Sequence, residues 1–228
     1  MYLRHTFIAV AVFLASSVLV IESSVASQEH AADLPANVGG QYKVVGTNPN
    51  GDRYSGSLEV LAHGNVYEFK WNAGRQYNGI GVKNGRTVAV AFANGNDGTG
   101  CGVVNYKIMS NGTLDGIWGN GGIDASGTEK ATHVSGRGIE GNYTATGTTP
   151  AGTAYQTNIS VRATGRSYKF SWSNNTEGFG VRLGDNIAVG FGGEHCGFVA
   201  YQLMPNGSLD GVWGVAGQQT GTEKATKQ

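Results

Sequence analysis

The chain has 228 residues, and its 16 Lys+Arg balance 16 Asp+Glu, so no basic excess exists to track a phosphate backbone and nucleic acid is not an expected partner. An apolar content of 39% excludes wholesale disorder, and the 38 glycines follow no every-third-residue period, which excludes a collagen-like triple helix. Two cysteines are too few for a disulfide scaffold or a four-cysteine zinc site.

The first segment reads as an address. Arg4 and His5 precede a continuous apolar stretch from Phe7 to Ile21, and Ser24-Val25-Ala26 supplies the small-x-small pattern of a signal-peptidase site. Fifteen apolar residues span only ~22 Å as helix, short of a hydrocarbon core of about 30 Å. The expectation is a signal peptide over 1–26, a polar tether over 27–38, secretion or periplasmic export, and no stable membrane span after cleavage.

Beyond residue 38 the chain is one unit written twice, over 39–135 and 138–228. Gly40-Gln41-Tyr42 returns as Gly141-Asn142-Tyr143, and Tyr67-Glu68-Phe69-Lys70-Trp71 as Tyr168-Lys169-Phe170-Ser171-Trp172. Cys101-Gly102 returns as Cys196-Gly197, and Leu114-Asp115-Gly116-Ile117-Trp118-Gly119 as Leu209-Asp210-Gly211-Val212-Trp213-Gly214. Both copies end in Gly-Thr-Glu-Lys-Ala-Thr, at 127–132 and 221–226.

Taken in order, the first copy offers strands at Tyr42–Gly46, Tyr54–Leu61, Tyr67–Trp71, Gly79–Val82, Val88–Phe92, Val104–Ile108 and Leu114–Trp118, then the Gly-Thr-Glu-Lys-Ala-Thr segment. Large apolar residues recur at every second position, which places them on one sheet face. Asn84-Gly85, Asn111-Gly112 and Asn206-Gly207 suit tight type I′ turns, and Asn48-Pro49-Asn50-Gly51 a proline-primed turn. No mature segment carries a helical apolar stripe. Short turns between alternating strands favour an antiparallel meander, and closure removes its exposed edges. The reading is all-β: two tandem up-and-down barrels of about eight strands each, packed on one another. The alternative is one larger sandwich or barrel built from both copies.

The repeated aromatics Trp71, Trp118, Trp172, Trp213, Tyr106 and Tyr201 are the ligand-binding candidates, since rings at a barrel mouth stack on a sugar or hold an apolar ligand. Filling the core is their simpler role. Asp115/Asp210 and Glu129/Glu223 are the only acids repeated in register. Asp115 alternates with core residues and points outward, and Glu129 beside Lys130 reads as a strand-end charge pair, so no catalytic set is expected. The mature histidines have no equivalents across the copies, and His195 with Cys196 lacks further metal ligands. No metal or cofactor is expected. Cys101 and Cys196 either meet as a disulfide near a pseudo-twofold axis or sit apart as small buried residues. The segment Ala93–Gly100 reads as a hairpin tip in which Asp97 has too few oxygen neighbours for calcium.

The Gly-x-Tyr, Gly-Thr-Asn-Pro-Asn-Gly, Tyr-x-Phe-x-Trp, Cys-Gly-Val-Val-x-Tyr, Leu-Asp-Gly-x-Trp-Gly and Gly-Thr-Glu motifs resemble short secreted bacterial tandem-repeat proteins described as fibronectin-binding-like. The resemblance spans 40–132 and 141–226, although Thr149 and Ala151 depart from the first copy's turn. It implies a non-catalytic secreted binding protein that meets an extracellular matrix protein or a cell-surface polysaccharide. A likeness at fold level to avidin- and lipocalin-type barrels implies instead a carrier of a small apolar or sugar-like ligand. A glycan-acting hydrolase is the third class.

Overall fold

The computed structural model describes residues 37–228 apart from 96, 97, 99, 217 and 218. The segments expected to be a signal peptide and most of a tether, and Asp97, lie outside the described residues. The first repeat forms β1 Gly40–Thr47, β2 Arg53–His63, β3 Val66–Asn72, β4 Gln76–Asn84, β5 Thr87–Asn94, β6 Gly102–Ile108, β7 Leu114–Asn120 and β8 Gly127–Arg137. The second forms β9 Glu140–Thr148, β10 Ala154–Thr164, β11 Ser167–Trp172, β12 Glu177–Leu183, β13 Asn186–Phe191, β14 Gly197–Leu203, β15 Leu209–Gly214 and β16 Gly221–Lys227. Among the described residues no helix is long and apolar enough to cross a membrane.

The strands close into two antiparallel eight-stranded barrels. The barrels do not coincide with the repeats. Barrel B is the contiguous run β6 to β13, each strand paired with the next and β13 closing on β6. Barrel A takes β1 to β5 from the first repeat and β14 to β16 from the second; it closes through β5–β14 and β1–β16. One barrel is therefore inserted into a connection of the other. The divisions at 39–135 and 138–228 describe the duplication, not the closed units, and β5 and β6, on either side of the expected hairpin tip, belong to different barrels and do not pair. The repeat junction itself is a hairpin inside barrel B, where Arg137 opposes Glu140.

Alternation builds the two interiors. Val44, Leu58, Val60, Phe69, Val88, Val90, Tyr201 and Leu209 fill barrel A, and Val104, Tyr106, Tyr143, Ile159, Val161, Phe170 and Ile187 fill barrel B. One end of each barrel is plugged. Val38 and Ile139 are buried there, and the hydroxyls of Tyr42 and Tyr143 donate to their carbonyls at 2.6 and 2.7 Å. Val38 thus belongs to a core and not to a polar tether.

The outward faces of β4, β5, β6, β12, β13 and β14 carry a third apolar cluster that joins the barrels. Alanine at 89, 91, 188 and 200 on this face leaves room for two sheets to approach closely. Buried Asn105 caps it, its side-chain amide donating to the Thr87 carbonyl at 3.2 Å and its oxygen accepting from Asn186 at 3.1 Å. Cys101, just before β6, and Cys196, just before β14, are joined by a disulfide with Cα atoms 5.8 Å apart, which ties the two barrels at the points where the chain passes between them. Equivalent residues of the two copies thus meet, as a pseudo-twofold arrangement requires.

The turns depart from expectation in one respect. Among the described residues Asn175 is the only non-glycine with positive φ, so the Asn-Gly pairs are not type I′ turns. Instead only the glycine of each pair takes left-handed φ, at 58°, 80° and 79° for Gly85, Gly112 and Gly207, and the side chains of Asn111 and Asn206 accept the backbone N–H bonds of Thr113 and Ser208.

Candidate functional site

The unplugged end of each barrel opens into a cavity. Its floor comes from the alternation of the terminal repeat motif: on β16, Gly221, Glu223 and Ala225 face inward while Thr222 and Lys224 face out, and β8 does the same with Gly127, Glu129 and Ala131. Both glutamates are about 5% exposed, which corrects their reading as strand-end surface charges. Lys130 and Lys224, the expected partners, lie on the opposite face. The usable signal was the register of each Glu with Gly and Ala on the same strand.

Each carboxylate is held by three neutral donors. In barrel A the Glu223 Oε1 accepts from the Trp71 indole at 3.0 Å and from the Tyr201 hydroxyl, while Oε2 accepts from Tyr54 at 2.9 Å. In barrel B the Glu129 Oε1 accepts from Trp172 at 3.1 Å and from Tyr106, while Oε2 accepts from Tyr155 at 3.0 Å. Both constellations draw on both repeats, because each barrel does. Burial raises the Glu223 carboxyl above the usual carboxylate range, and the three donors oppose that rise.

The cavity of barrel A, about 400 Å³, is walled by Tyr54, Trp71, Tyr77, Phe92, Val199 and Trp213, with Asn48, Arg75 and Val215 nearer the mouth. That of barrel B, about 470 Å³, places Trp118, Trp172, Tyr155 and Phe191 around Glu129 under a rim of Asn120, Gln156, Thr157, Ser173, Asn174 and Thr176. Strand register makes Tyr77 the counterpart of Thr176, and repeat alignment makes Val215 that of Asn120, so one floor carries an apolar wall and its copy a polar one.

The four tryptophans, the chain's full complement, line the cavities, and they do so from the edge of the cores: Trp71 belongs to the barrel A core, Trp213 packs against it, and Trp118 and Trp172 pack against that of barrel B. Tyr106 and Tyr201 are fully buried behind the glutamates and reach the cavities through them. Trp118 and Trp213 each keep a buried indole N–H without a hydrogen-bond partner. A Cβ at Gly127 would stand only 2.5 Å from the Trp118 indole nitrogen, and one at Gly221 only 2.7 Å from that of Trp213, so only glycine fits beneath each ring. The Trp213 N–H offsets part of the rise in the Tyr54 phenol's pKa without reaching hydrogen-bond geometry.

Asp115 and Asp210 are exposed, as their alternation requires. Among the described residues each cavity is lined by one carboxylate, with Glu129 and Glu223 in different barrels. Exposed His195 lies within 4.8 Å of both cysteine sulfurs, but those sulfurs are consumed by the disulfide.

The buried phenols make the barrels sensitive to alkali. Desolvation pushes Tyr42 and Tyr143 up to about 12 and raises Tyr54, Tyr155, Tyr106 and Tyr201 further, with Glu223 or Glu129 adding to the rise for the last four. Unfolded phenols lose their protons near pH 10, so above that pH the folded chain binds more protons than the unfolded one. This stability is complete below about pH 10 and falls as the pH climbs toward the folded values. Phenolate absorbance is expected to appear together with loss of the β-sheet circular-dichroism signal. These tyrosines titrating near pH 10 with the barrels intact would contradict the burial.

No protein-family model matches the chain, and comparison with curated proteins and with solved structures likewise returns no match.

Proposed function

We propose that this protein is a non-catalytic binding protein that encloses one small ligand in the open end of each barrel. The observation that carries the reading is the pair of preformed cavities of 400–470 Å³, each walled by rings and floored by a carboxylate that three donors hold in place. Sites for small molecules have this form: a mostly apolar concavity with a few converging polar groups. A single acid per cavity supports retention of a ligand over glycoside cleavage, which uses two carboxyl groups on one bond. Large exposed apolar residues, such as Val45, Met109, Ile123, Val134 and Met204, are dispersed along the chain. The cavities are thus a better-built feature than any outer surface for a matrix protein. Export, carried by residues 1–26, would place such a carrier outside the cytoplasm.

Because every tryptophan lines a cavity, any occupant perturbs intrinsic emission. Titration with mono- and disaccharides, aromatic alcohols and aromatic amines is expected to give saturable changes with up to two ligands per chain by native mass spectrometry. Aromatic compounds are expected to favour barrel A, and their binding to weaken on Tyr77→Thr with Val215→Asn. Emission unmoved by the whole panel, while acrylamide still quenches the same tryptophans, would count against enclosed ligand sites.

A further inference from the structure

From the chemistry of the barrel B cavity we infer its ligand class: a protonated amine on a hydroxylated body, the amino-sugar type of molecule. The inference rests on the ligand-binding reading and deepens it for one of the two sites.

Three observations converge. The first is charge. Glu129 is buried, its hydrogen bonds come from the neutral groups of Tyr106, Tyr155 and Trp172, and among the described residues no cationic side chain lies within ion-pair distance of it. Among the described residues no Lys, Arg or His lines this cavity. A buried carboxylate without a countercharge is costly, and a ligand cation supplies the missing charge. The acid retains capacity for one: a carboxylate offers about four lone-pair sites, of which three are used, two at Oε1 and one at Oε2. The rings of Trp118, Trp172, Tyr155 and Phe191 around it present the π faces that attract an ammonium group.

The second observation is the Trp118 indole N–H, buried in the cavity wall near the Tyr155 hydroxyl but with no acceptor in hydrogen-bond geometry. A ligand hydroxyl oxygen satisfies it, which a bare ammonium does not. The third is the rim, where Asn120, Gln156, Thr157, Ser173, Asn174 and Thr176 offer both donors and acceptors to a polyhydroxylated body. Barrel A differs on two of the three counts. Arg75 stands near its mouth, and Tyr77 and Val215 replace polar rim residues, so the inference is confined to barrel B.

The test compares D-glucosamine with D-glucose and N-acetyl-D-glucosamine, three molecules of nearly one shape that differ in charge. The full-length mature protein, disulfide intact, is titrated at about pH 6, where the amine is protonated. Tryptophan emission and native mass spectrometry report binding. Glucosamine is expected to bind roughly tenfold or more tightly than either neutral sugar, as a charge-assisted hydrogen bond exceeds a neutral one. Glu129→Gln is expected to abolish that preference, while Glu223→Gln leaves it in place. The comparison of sugars on the unaltered protein stands even if Glu129→Gln fails to fold. Glucose binding as well as glucosamine overturns the amine inference while leaving the enclosed-ligand reading in force. None of the three sugars binding overturns the amino-sugar class, and aromatic ligands then decide the broader reading separately. A preference that survives Glu129→Gln also overturns it, because the charge is then read elsewhere.

Discussion

Expressed on its own under oxidising conditions, the segment 101–196 is expected to fold into a closed barrel, whereas the repeat 39–135 is not. The segment contains β6 to β13 and both cysteines, so every strand of barrel B has both neighbours and the disulfide ties its ends. Cross-linking residues 95 positions apart adds about 4–5 kcal/mol by the chain-entropy estimate, a large share of what a domain of this size has to spare. The repeat contains β1 to β5, whose closing partners β14 to β16 are missing, and β6 to β8, whose partners β9 and β13 are missing. The measurement is cooperative unfolding of each fragment by circular dichroism, with amide dispersion by NMR. The isolated barrel exposes Val103, Phe179, Val181 and Ala188, residues that face the other barrel in the full chain, so self-association is expected at high concentration. Cooperative folding of 39–135 with disorder of 101–196 would show that the duplicated unit, not the strand-paired unit, is what folds.

Replacing a floor glutamate is expected to cost more than any surface change. Glu223→Ala leaves the Trp71 N–H and the hydroxyls of Tyr54 and Tyr201 inside barrel A without an acceptor. Each unsatisfied buried donor costs about 1–3 kcal/mol, and water entering the open cavity recovers part of it, so a loss of about 2–4 kcal/mol is expected. Glu129→Ala does the same in barrel B through Tyr106, Tyr155 and Trp172. Glutamine keeps an acceptor oxygen and is expected to cost about 1 kcal/mol. Denaturant unfolding monitored by tryptophan emission measures both.

The Glu223 variants also carry a pH signature. Its folded pKa is raised, so the stability this group contributes is complete below the unfolded carboxyl's value of about 4.3 and is lost as the pH rises through the folded one. Glu223→Gln removes that slope, and the deficit against the parent protein is expected to shrink from acid toward neutral pH. Equal losses for Ala and Gln at every pH would mean that the carboxylate is not the acceptor at the centre of the cluster.

Strand positions were legible because period-two alternation survives in every segment, from Tyr67-Phe69-Trp71 to Leu114-Gly116-Trp118. The partner of each strand was not. The β6 sequence Cys-Gly-Val-Val-Asn-Tyr leads into the same inward residues as Cys-Gly-Phe-Val-Ala-Tyr before and within β14, and β5 can present its edge to either. Duplication makes the two pairings nearly equal in local chemistry, so the choice rests on packing between barrels. That packing was hidden for a related reason: Ala89 and Ala91 suit a solvated outer face as well as an interface. The aromatic candidates were legible as repeated rings, but their role depended on Glu129 and Glu223, whose charge masked their place among inward-facing Gly and Ala. The meeting of Cys101 and Cys196 followed from equivalence across a twofold, which spacing alone left open beside separate burial.

The disulfide has a mechanical consequence. Tension applied through β1 and β16 runs along barrel A to Cys101, crosses the sulfur bridge to Cys196 and returns, so the covalent path bypasses all of 102–195. Even after barrel A is pulled straight, barrel B hangs from the taut chain as a slack loop and carries no load.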